Sequence, residues 1–85
     1  MSSKGHSTSG RKELIAILNN DGWFLVKQTG DHLQFKHKIK KGKVTVPWKI
    51  TKNIELSVLR QAGIGENGRK YYELKYGKVE NANQN

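Results

Sequence analysis

The chain of 85 residues contains no cysteine. A disulfide framework and a thiolate metal site are therefore excluded, and the composition fits a reducing, cytoplasmic location. Long apolar runs are also missing, since the longest are "LIAIL" and "WFLV", too short to span a bilayer. The opening "MSSKGHSTSG" lacks the apolar segment of a secretory signal. We therefore expect no membrane association.

Acidic residues are scarce as well. Lys+Arg number 16 against 7 Asp+Glu, which gives a formal net charge of +9. The span from His32 through Ile54 contains no acid and holds the following lysines: Lys36, Lys38, Lys40, Lys41, Lys43, Lys49 and Lys52. Such a field favours a polyanion such as RNA or DNA, or an acidic protein. The alternative is a solvated lysine-rich surface, but a span of this length without an acid favours an anion-binding face.

The hydrophobic pattern predicts the element order α-β-β-β-α. "SGRKELIAILNNDGW" is typical of a helix, with Ser9 as its N-cap and Gly22 as its stop. "WFLVKQ", "HLQFKH" and "KVTVP" are typical of strands, and "IELSVLRQAGI" of a second helix ending at Gly63. The connections between the strands are short, which predicts a three-stranded antiparallel sheet. We expect an α+β fold with both helices on one face of this sheet.

Strand periodicity assigns side chains to the two faces of that sheet. In "HLQFKH", Leu33 and Phe35 are expected to face the helices. His32, Gln34 and Lys36 then face solvent, so His32 is not expected to be a core histidine.

The chain divides into one folded domain and two flanking segments. Residues 1–8 are rich in Ser, Gly and Thr and are expected to form a disordered tail, in which His6 has no role. Residues 9–64 hold the predicted domain. Residues 65–85 form a C-terminal extension, in which Tyr72, Leu74 and Tyr76 indicate one short strand before a disordered end.

Most kinds of catalytic site have no support in this sequence. His32 and His37 are five apart on a predicted strand and point to opposite faces, so no metal site is expected. "GIGENG" lacks the Lys-Ser/Thr of a phosphate-binding loop, and no paired carboxylates are visible. No cofactor is expected.

Acid–base chemistry with one histidine remains available. Both protonation states of imidazole exist near neutral pH, and a base can activate the 2′-hydroxyl of RNA to attack its adjacent phosphate. Nearby lysines offset the charge that develops there, and Asp31 could orient the His32 ring. The residues alone also allow the plainer interpretation, a surface histidine without a chemical role.

Three segments resemble, in order, the HicA toxins of toxin–antitoxin pairs. "GRKELIAILNNDGWFLVKQTGDH" is similar to the family's opening helix, strand and Gly-Ser-His turn. "FKHKIKKGKVTVP" is similar to its central strands, and "LSVLRQAGI" to its closing helix. The resemblance implies a fold like double-stranded RNA-binding domains. It also implies metal-independent cleavage of mRNA, growth arrest and neutralisation by a HicB-like antitoxin.

The resemblance also implies a set of site residues. His32 matches the family's catalytic histidine and Gly30 its glycine, while Asp31 stands where the family commonly has serine. The lysines expected to bind RNA phosphates are Lys36, Lys38, Lys40, Lys41 and Lys43. After Pro47, "WKITKN" departs from the family's histidine-containing loop.

Two alternatives to an mRNA-cleaving toxin stay open. A non-catalytic module that binds double-stranded RNA fits the fold and charge equally well. The second alternative is a protein whose basic face binds an acidic protein, and this function is compatible with the toxin hypothesis. For the remaining ring side chains, we expect His37 to be structural and Trp23 to join the core, whereas Trp48 could pack or stack on bases.

Overall fold

The computed structural model describes residues 6–78, with side chains from Gly10 onward. The elements are α1 (His6–Asp21), β1 (Trp23–Thr29), β2 (His32–His37), β3 (Val44–Val46), α2 (Lys52–Ala62) and α3 (Gly65–Tyr76). The predicted order α-β-β-β-α is therefore confirmed, and a third helix follows it.

The three strands form an antiparallel meander in the order β1-β2-β3. In the centre of the sheet, Leu33 pairs with Val46 and Phe35 with Val44. The pairing of β1 with β2 shifts between Leu25 and Lys27, which marks an irregularity of the β-bulge kind in the edge strand.

The hydrophobic core lies between one face of the sheet and the helices. Its buried members are Leu14, Leu18, Trp23, Leu33, Phe35, Val44, Val46, Val58 and Ala62. Leu14 and Leu18 come from α1 and are one helical turn apart, so both face the sheet. Val58 and Ala62 repeat this spacing on α2, which confirms that both helices cover the same face. Trp23 is buried in this core, as its position after the helix stop predicted.

Backbone signals end both predicted helices where the sequence placed them. Gly22 and Gly63 have φ of 106° and 70°, values that glycine adopts without a steric penalty. At the end of α2, the N–H of Ile64 donates to the carbonyl of Leu59, which closes the helix with a Schellman pattern. At its start, the Thr51 hydroxyl accepts from the backbone N–H of Ile54 and caps the first turn.

Two predictions about the ends of the domain need correction. The helix α1 begins at His6, so Ser9 lies inside it and is not its N-cap, and residues 6–8 belong to the helix. The strand expected around Tyr72–Tyr76 is wrong, because these residues form the last turns of α3. A strand would place Tyr72, Leu74 and Tyr76 on the same side of a sheet. In the structure, however, Leu74 is 89% exposed while Tyr72 is buried. The tails at residues 1–5 and 79–85 lie outside the described residues.

The close approach of α3 to α2 depends on Gly68. A Cβ atom at this position would lie 2.6 Å from the Leu59 carbonyl oxygen, which belongs to the α2 backbone and cannot rotate away. We therefore expect Gly68→Ala to force the two helices apart and to lower the free energy of unfolding by about 1–3 kcal/mol. Urea unfolding followed by circular dichroism measures this change.

Gly10→Ala is the matched control for that substitution. Gly10 lies in α1 with open space around its Cα, so alanine should stabilise the helix by up to about 1 kcal/mol. Equal effects of the two substitutions would contradict the packing described for α3.

Candidate nucleic-acid interface

The sheet face opposite the helices, here called the open face, carries mostly polar side chains. Residues paired across antiparallel strands point to the same side of the sheet. His32 pairs with Thr29, and Gln34 pairs with Thr45 on β3. His32 and Lys36 are exposed and Gln34 is half-buried, while Leu33 and Phe35 between them are buried. The predicted assignment of β2 side chains to the two faces is confirmed.

A tight turn fixes the position of His32 on this face. Gly30 and Asp31 connect β1 to β2, and Gly30 has a φ of 58°. A positive φ at the first central residue and not at the second is the pattern of a type II′ hairpin, where glycine is favoured. The Gln28 amide donates to the Gly30 carbonyl at 3.3 Å and closes the turn from outside. His32 is therefore the first residue of β2, opposite Thr29.

The imidazole of His32 has no hydrogen-bond partner among the described side chains. Among residues 10–78, neither the His32 ring nor the Asp31 carboxylate forms a hydrogen bond or an ion pair. Asp31 therefore does not orient the ring in this structure. Both ring nitrogens stay available to a ligand on the open face.

Two lysine side chains share the open face with His32, and both lie toward the other end of β2. Lys36 follows it by four strand positions on the same side, a separation of roughly 13 Å along β2. Lys43 reaches the same face from the other edge, because its Nζ donates to Gln34 Oε1 at 3.4 Å. The Lys43 ammonium therefore lies against the side chain midway between His32 and Lys36.

Lys40 does not belong with the other lysines of the predicted phosphate-binding group. Its Nζ lies 2.6 Å from Asp21 Oδ2 and donates to the carbonyl oxygens of Ala62 and Gly63, both at 3.1 Å. The side chain is only 11% exposed. An ammonium group with these three acceptors has no free donor for a phosphate. Lys40 instead connects its loop to the ends of α1 and α2.

His37 is also a structural residue, as its predicted position on the helix-facing side indicated. Its Nδ1 accepts the backbone N–H groups of Ile39 and Lys40 at 3.0 and 3.1 Å. Because a backbone N–H can only donate, Nδ1 carries no proton, and Nε2–H donates to the Asp21 carbonyl at 2.6 Å. A Cβ at Gly22 would lie 2.6 Å from Nε2, so glycine is needed here for space as well as for its φ.

The helix α3 supports the loop of residues 38–43 from the other side. The Tyr72 hydroxyl accepts the backbone N–H of Lys41 at 2.7 Å. Tyr76 stacks at a tilt against Tyr72, and its hydroxyl occupies the space that a Cβ at Gly42 would need. Sequence analysis missed this support. The signal was the pair Tyr72 and Tyr76, which are four apart and lie on one side of a helix.

Lys38 and Lys41 hold the exposed outer positions of this braced loop. Within the described residues neither side chain ammonium has an ion-pair partner.

Trp48 is also at the surface. Its side chain is 60% exposed, and the Arg11 guanidinium lies 4.3 Å from the centre of its ring. Trp48 therefore lies outside the core, beside a cation.

Within residues 10–78, no group of three or more His, Asp or Glu side chains is placed to hold a metal ion. No helix in this part of the chain is both long and apolar enough to cross a membrane. The fold and the interface together define a small basic α+β domain with one open, lysine-flanked sheet face that carries an exposed histidine.

The family follows from a comparison of sequences. The family model described as the HicA toxin of bacterial toxin-antitoxin systems matches residues 11–64, which is more than half of the chain. The chain therefore belongs to the HicA toxin family, whose members act with an antitoxin partner. A comparison with curated proteins finds no match. Because the matched residues end at Ile64, α3 lies beyond them.

The structural role of Lys40 is testable by removing its charge. In Lys40→Gln, the Asp21 carboxylate and the two α2 carbonyls lose their shared donor, so the free energy of unfolding should fall by about 1–3 kcal/mol. Lys38→Gln makes the same change at an exposed position and should alter stability by less than about 0.5 kcal/mol. Urea unfolding of both variants checks this, and equal stabilities would contradict the assigned role.

The brace between α3 and the loop is testable at one amide. Tyr72→Phe removes the acceptor of the Lys41 N–H, and loss of one such hydrogen bond should cost about 1 kcal/mol. Hydrogen exchange at the Lys41 amide should become faster, while exchange at core amides such as that of Phe35 follows only the global change. An unchanged rate at Lys41 would show that α3 does not hold the loop.

Proposed function

We propose that the chain is a metal-independent endoribonuclease, the mRNA-cleaving toxin of a type II toxin–antitoxin system, with His32 as its single catalytic histidine. The observation that carries this proposal is the exposed His32 on an open face that also carries the ammonium groups of Lys36 and Lys43. Membership of the HicA toxin family supports the toxin role. The site of action is the cytoplasm, where mRNA is accessible.

The reaction needs one proton acceptor and a cationic surface. The neutral imidazole of His32 removes the proton of a 2′-hydroxyl, and the 2′ oxygen then forms a bond to the adjacent phosphorus. The bond from phosphorus to the 5′ oxygen breaks, and the imidazolium or water protonates that leaving oxygen. The products are a 2′,3′-cyclic phosphate end and a 5′-hydroxyl end. Lysine ammonium groups stabilise the charge that develops on the phosphoryl oxygens.

The lysines divide into binding and supporting residues. Lys36 and Lys43 share the open face with His32, and Lys38 and Lys41 extend the positive surface onto the loop. Such contacts are point charges that position the backbone without reading base sequence. Affinity for RNA should therefore fall as salt rises, through release of counterions. Lys40 supports the loop that carries two of these groups.

We also infer how the antitoxin neutralises the enzyme. A HicB-like partner that presents acidic side chains to the open face would cover His32 and compete with RNA for the same ammonium groups. Gly30 and Asp31 form the turn at the rim of this face and would lie at the edge of the covered area. A chain of net charge +9 offers strong complementarity to such a partner.

One observation favours a second candidate, a module that binds double-stranded RNA without cutting it. Within residues 10–78 no side chain orients the His32 ring, whereas catalytic histidines are usually held by a third group. In that case the lysines would bind the phosphates of a duplex by shape and charge. His32 would then be dispensable, and its substitution separates the two functions.

Cleavage of a long RNA in the presence of EDTA tests the proposal. The wild-type chain should produce fragments, and His32→Ala should reduce the rate by roughly 10²–10⁴-fold, the usual contribution of a general base. Because His32 is exposed, its loss should change the free energy of unfolding by less than about 0.5 kcal/mol. A substrate with 2′-deoxynucleotides should resist both proteins.

Lys12→Gln, at an exposed position of α1 and therefore on the other side of the sheet, is the control for nonspecific loss of charge, and it should leave cleavage nearly unchanged. If neither the wild type nor His32→Ala cuts while both bind RNA, the binding module is the correct function. If His32→Ala cuts as fast as the wild type, His32 is not the general base.

A further inference from the structure

A small cavity lies between the loop of residues 38–43 and α3. Its volume is about 30 Å³, and its lining consists of Lys41, Gly42, Lys43, Gln61, Tyr71, Lys75 and Tyr76. Three of these residues are lysines, two are tyrosines and none is an acid. The acids of α3, Glu66 and Glu73, are not part of the lining. The cavity therefore combines cations and polar donors.

Lys75 is the charged residue that α3 contributes to the lining of the cavity. Its Nζ lies 5.5 Å from the ring centre of Tyr76 and 6.0 Å from that of Tyr71. Distances of this order permit a weak cation–π attraction, which keeps the ammonium near the two rings. Lys75 has no acidic partner among the described residues, so none of these residues neutralises its charge.

The size of the cavity limits what it can hold. About 10–15 Å³ of such volume is needed for each water molecule, so the cavity accommodates two or three atoms of water size. A nucleobase is too large, whereas the non-bridging oxygens of a phosphate fit. Ammonium groups of lysine and hydroxyl groups of tyrosine are donors that phosphate oxygens accept.

The cavity is continuous with the open face through Lys43. This lysine lines the cavity, and its Nζ also contacts Gln34 on the face that carries His32. A strand of RNA that contacts the Lys43 ammonium on the open face would lie beside the cavity, because the same side chain lines it. One chain of nucleic acid can therefore contact both surfaces.

From this geometry we propose that the cavity is a phosphate subsite, which extends the RNA path from the open face onto α3. The ligand is a backbone phosphate of the RNA strand, held by Lys41, Lys43 and Lys75. This inference rests on the proposed function. Because α3 lies beyond the residues that match the family, the subsite would belong to this chain's own extension.

The test compares two α3 lysines that differ in position. Lys75 lines the cavity, whereas Lys70 is exposed on the same helix and does not. Both are changed to Gln in a His32→Ala background, so that RNA is bound without being cut. Binding of a single-stranded RNA is measured from low to moderate salt, and thermal unfolding of each variant checks the fold.

Lys75→Gln should weaken binding several-fold and reduce the slope of log K against log salt by about 0.7, the value for one lost phosphate contact on a single strand. Lys70→Gln should leave the slope unchanged. Lys75→Arg keeps the charge and should keep the binding, which separates loss of a contact from damage to α3.

Three results would overturn the subsite. If Lys75→Gln and Lys70→Gln reduce binding equally, the effect is general charge and the cavity holds no phosphate, while the role of His32 is untouched. If Lys75→Arg binds as poorly as Lys75→Gln, the residue acts by packing. If the His32→Ala chain shows no salt-dependent binding of RNA, the proposed function fails together with the subsite.

Discussion

The ammonium group of Lys40 is the interaction on which the rest of the interface depends. Its three acceptors come from two separate places, the Asp21 carboxylate at the end of α1 and the carbonyls of Ala62 and Gly63 at the end of α2. A cation beside the last carbonyls of a helix is favoured by the helix dipole. The contacts of Lys40 therefore fix its loop against both helices. The His37 ring adds a second link, because its Nδ1 accepts the backbone N–H groups of Ile39 and Lys40 while its Nε2–H donates to the Asp21 carbonyl.

This arrangement explains how a dense run of lysines can coexist with a defined loop. Like charges repel, and a mobile loop would place them far apart. Here one lysine is turned inward and compensated, and Tyr72 on α3 holds the next residue by its backbone N–H. The other ammonium groups of the loop, those of Lys38, Lys41 and Lys43, then lie on the outside of a loop that α2 and α3 hold in place. Binding a polyanion then requires less ordering of the loop, which favours affinity.

Sequence periodicity predicted the features that depend on local pattern. The alternation in "HLQFKH" placed His32 and Lys36 on the solvent side, and Gly22 and Gly63 marked the ends of helices, all as the structure shows. These predictions succeed because side-chain direction and φ are set by residues close in the chain. The position of the exposed His32 could thus be predicted from the sequence.

The role of Lys40 could not be obtained in this way. Its acceptor Asp21 is 19 residues distant, and Lys38 and Lys41 lie close to it in the sequence. Nothing local distinguishes a compensated lysine from a free one, since the difference arises only when two helix ends meet. The helix α3 was missed for a related reason: Tyr72, Leu74 and Tyr76 fit a strand, and only the packing of Tyr72 selects the helix. The brace and its adjoining cavity were missed with it.

The most direct measurement is a titration of the ¹⁵N-labelled His32→Ala chain with single-stranded RNA, followed by amide chemical shifts. The account predicts the largest changes on the open face and its adjoining loop, at Gln34, Lys36, Lys43 and Thr45, with little change at the buried positions of α1 such as Leu14. Changes confined to the helices, with none on the three strands, would contradict the assignment of the open face to RNA.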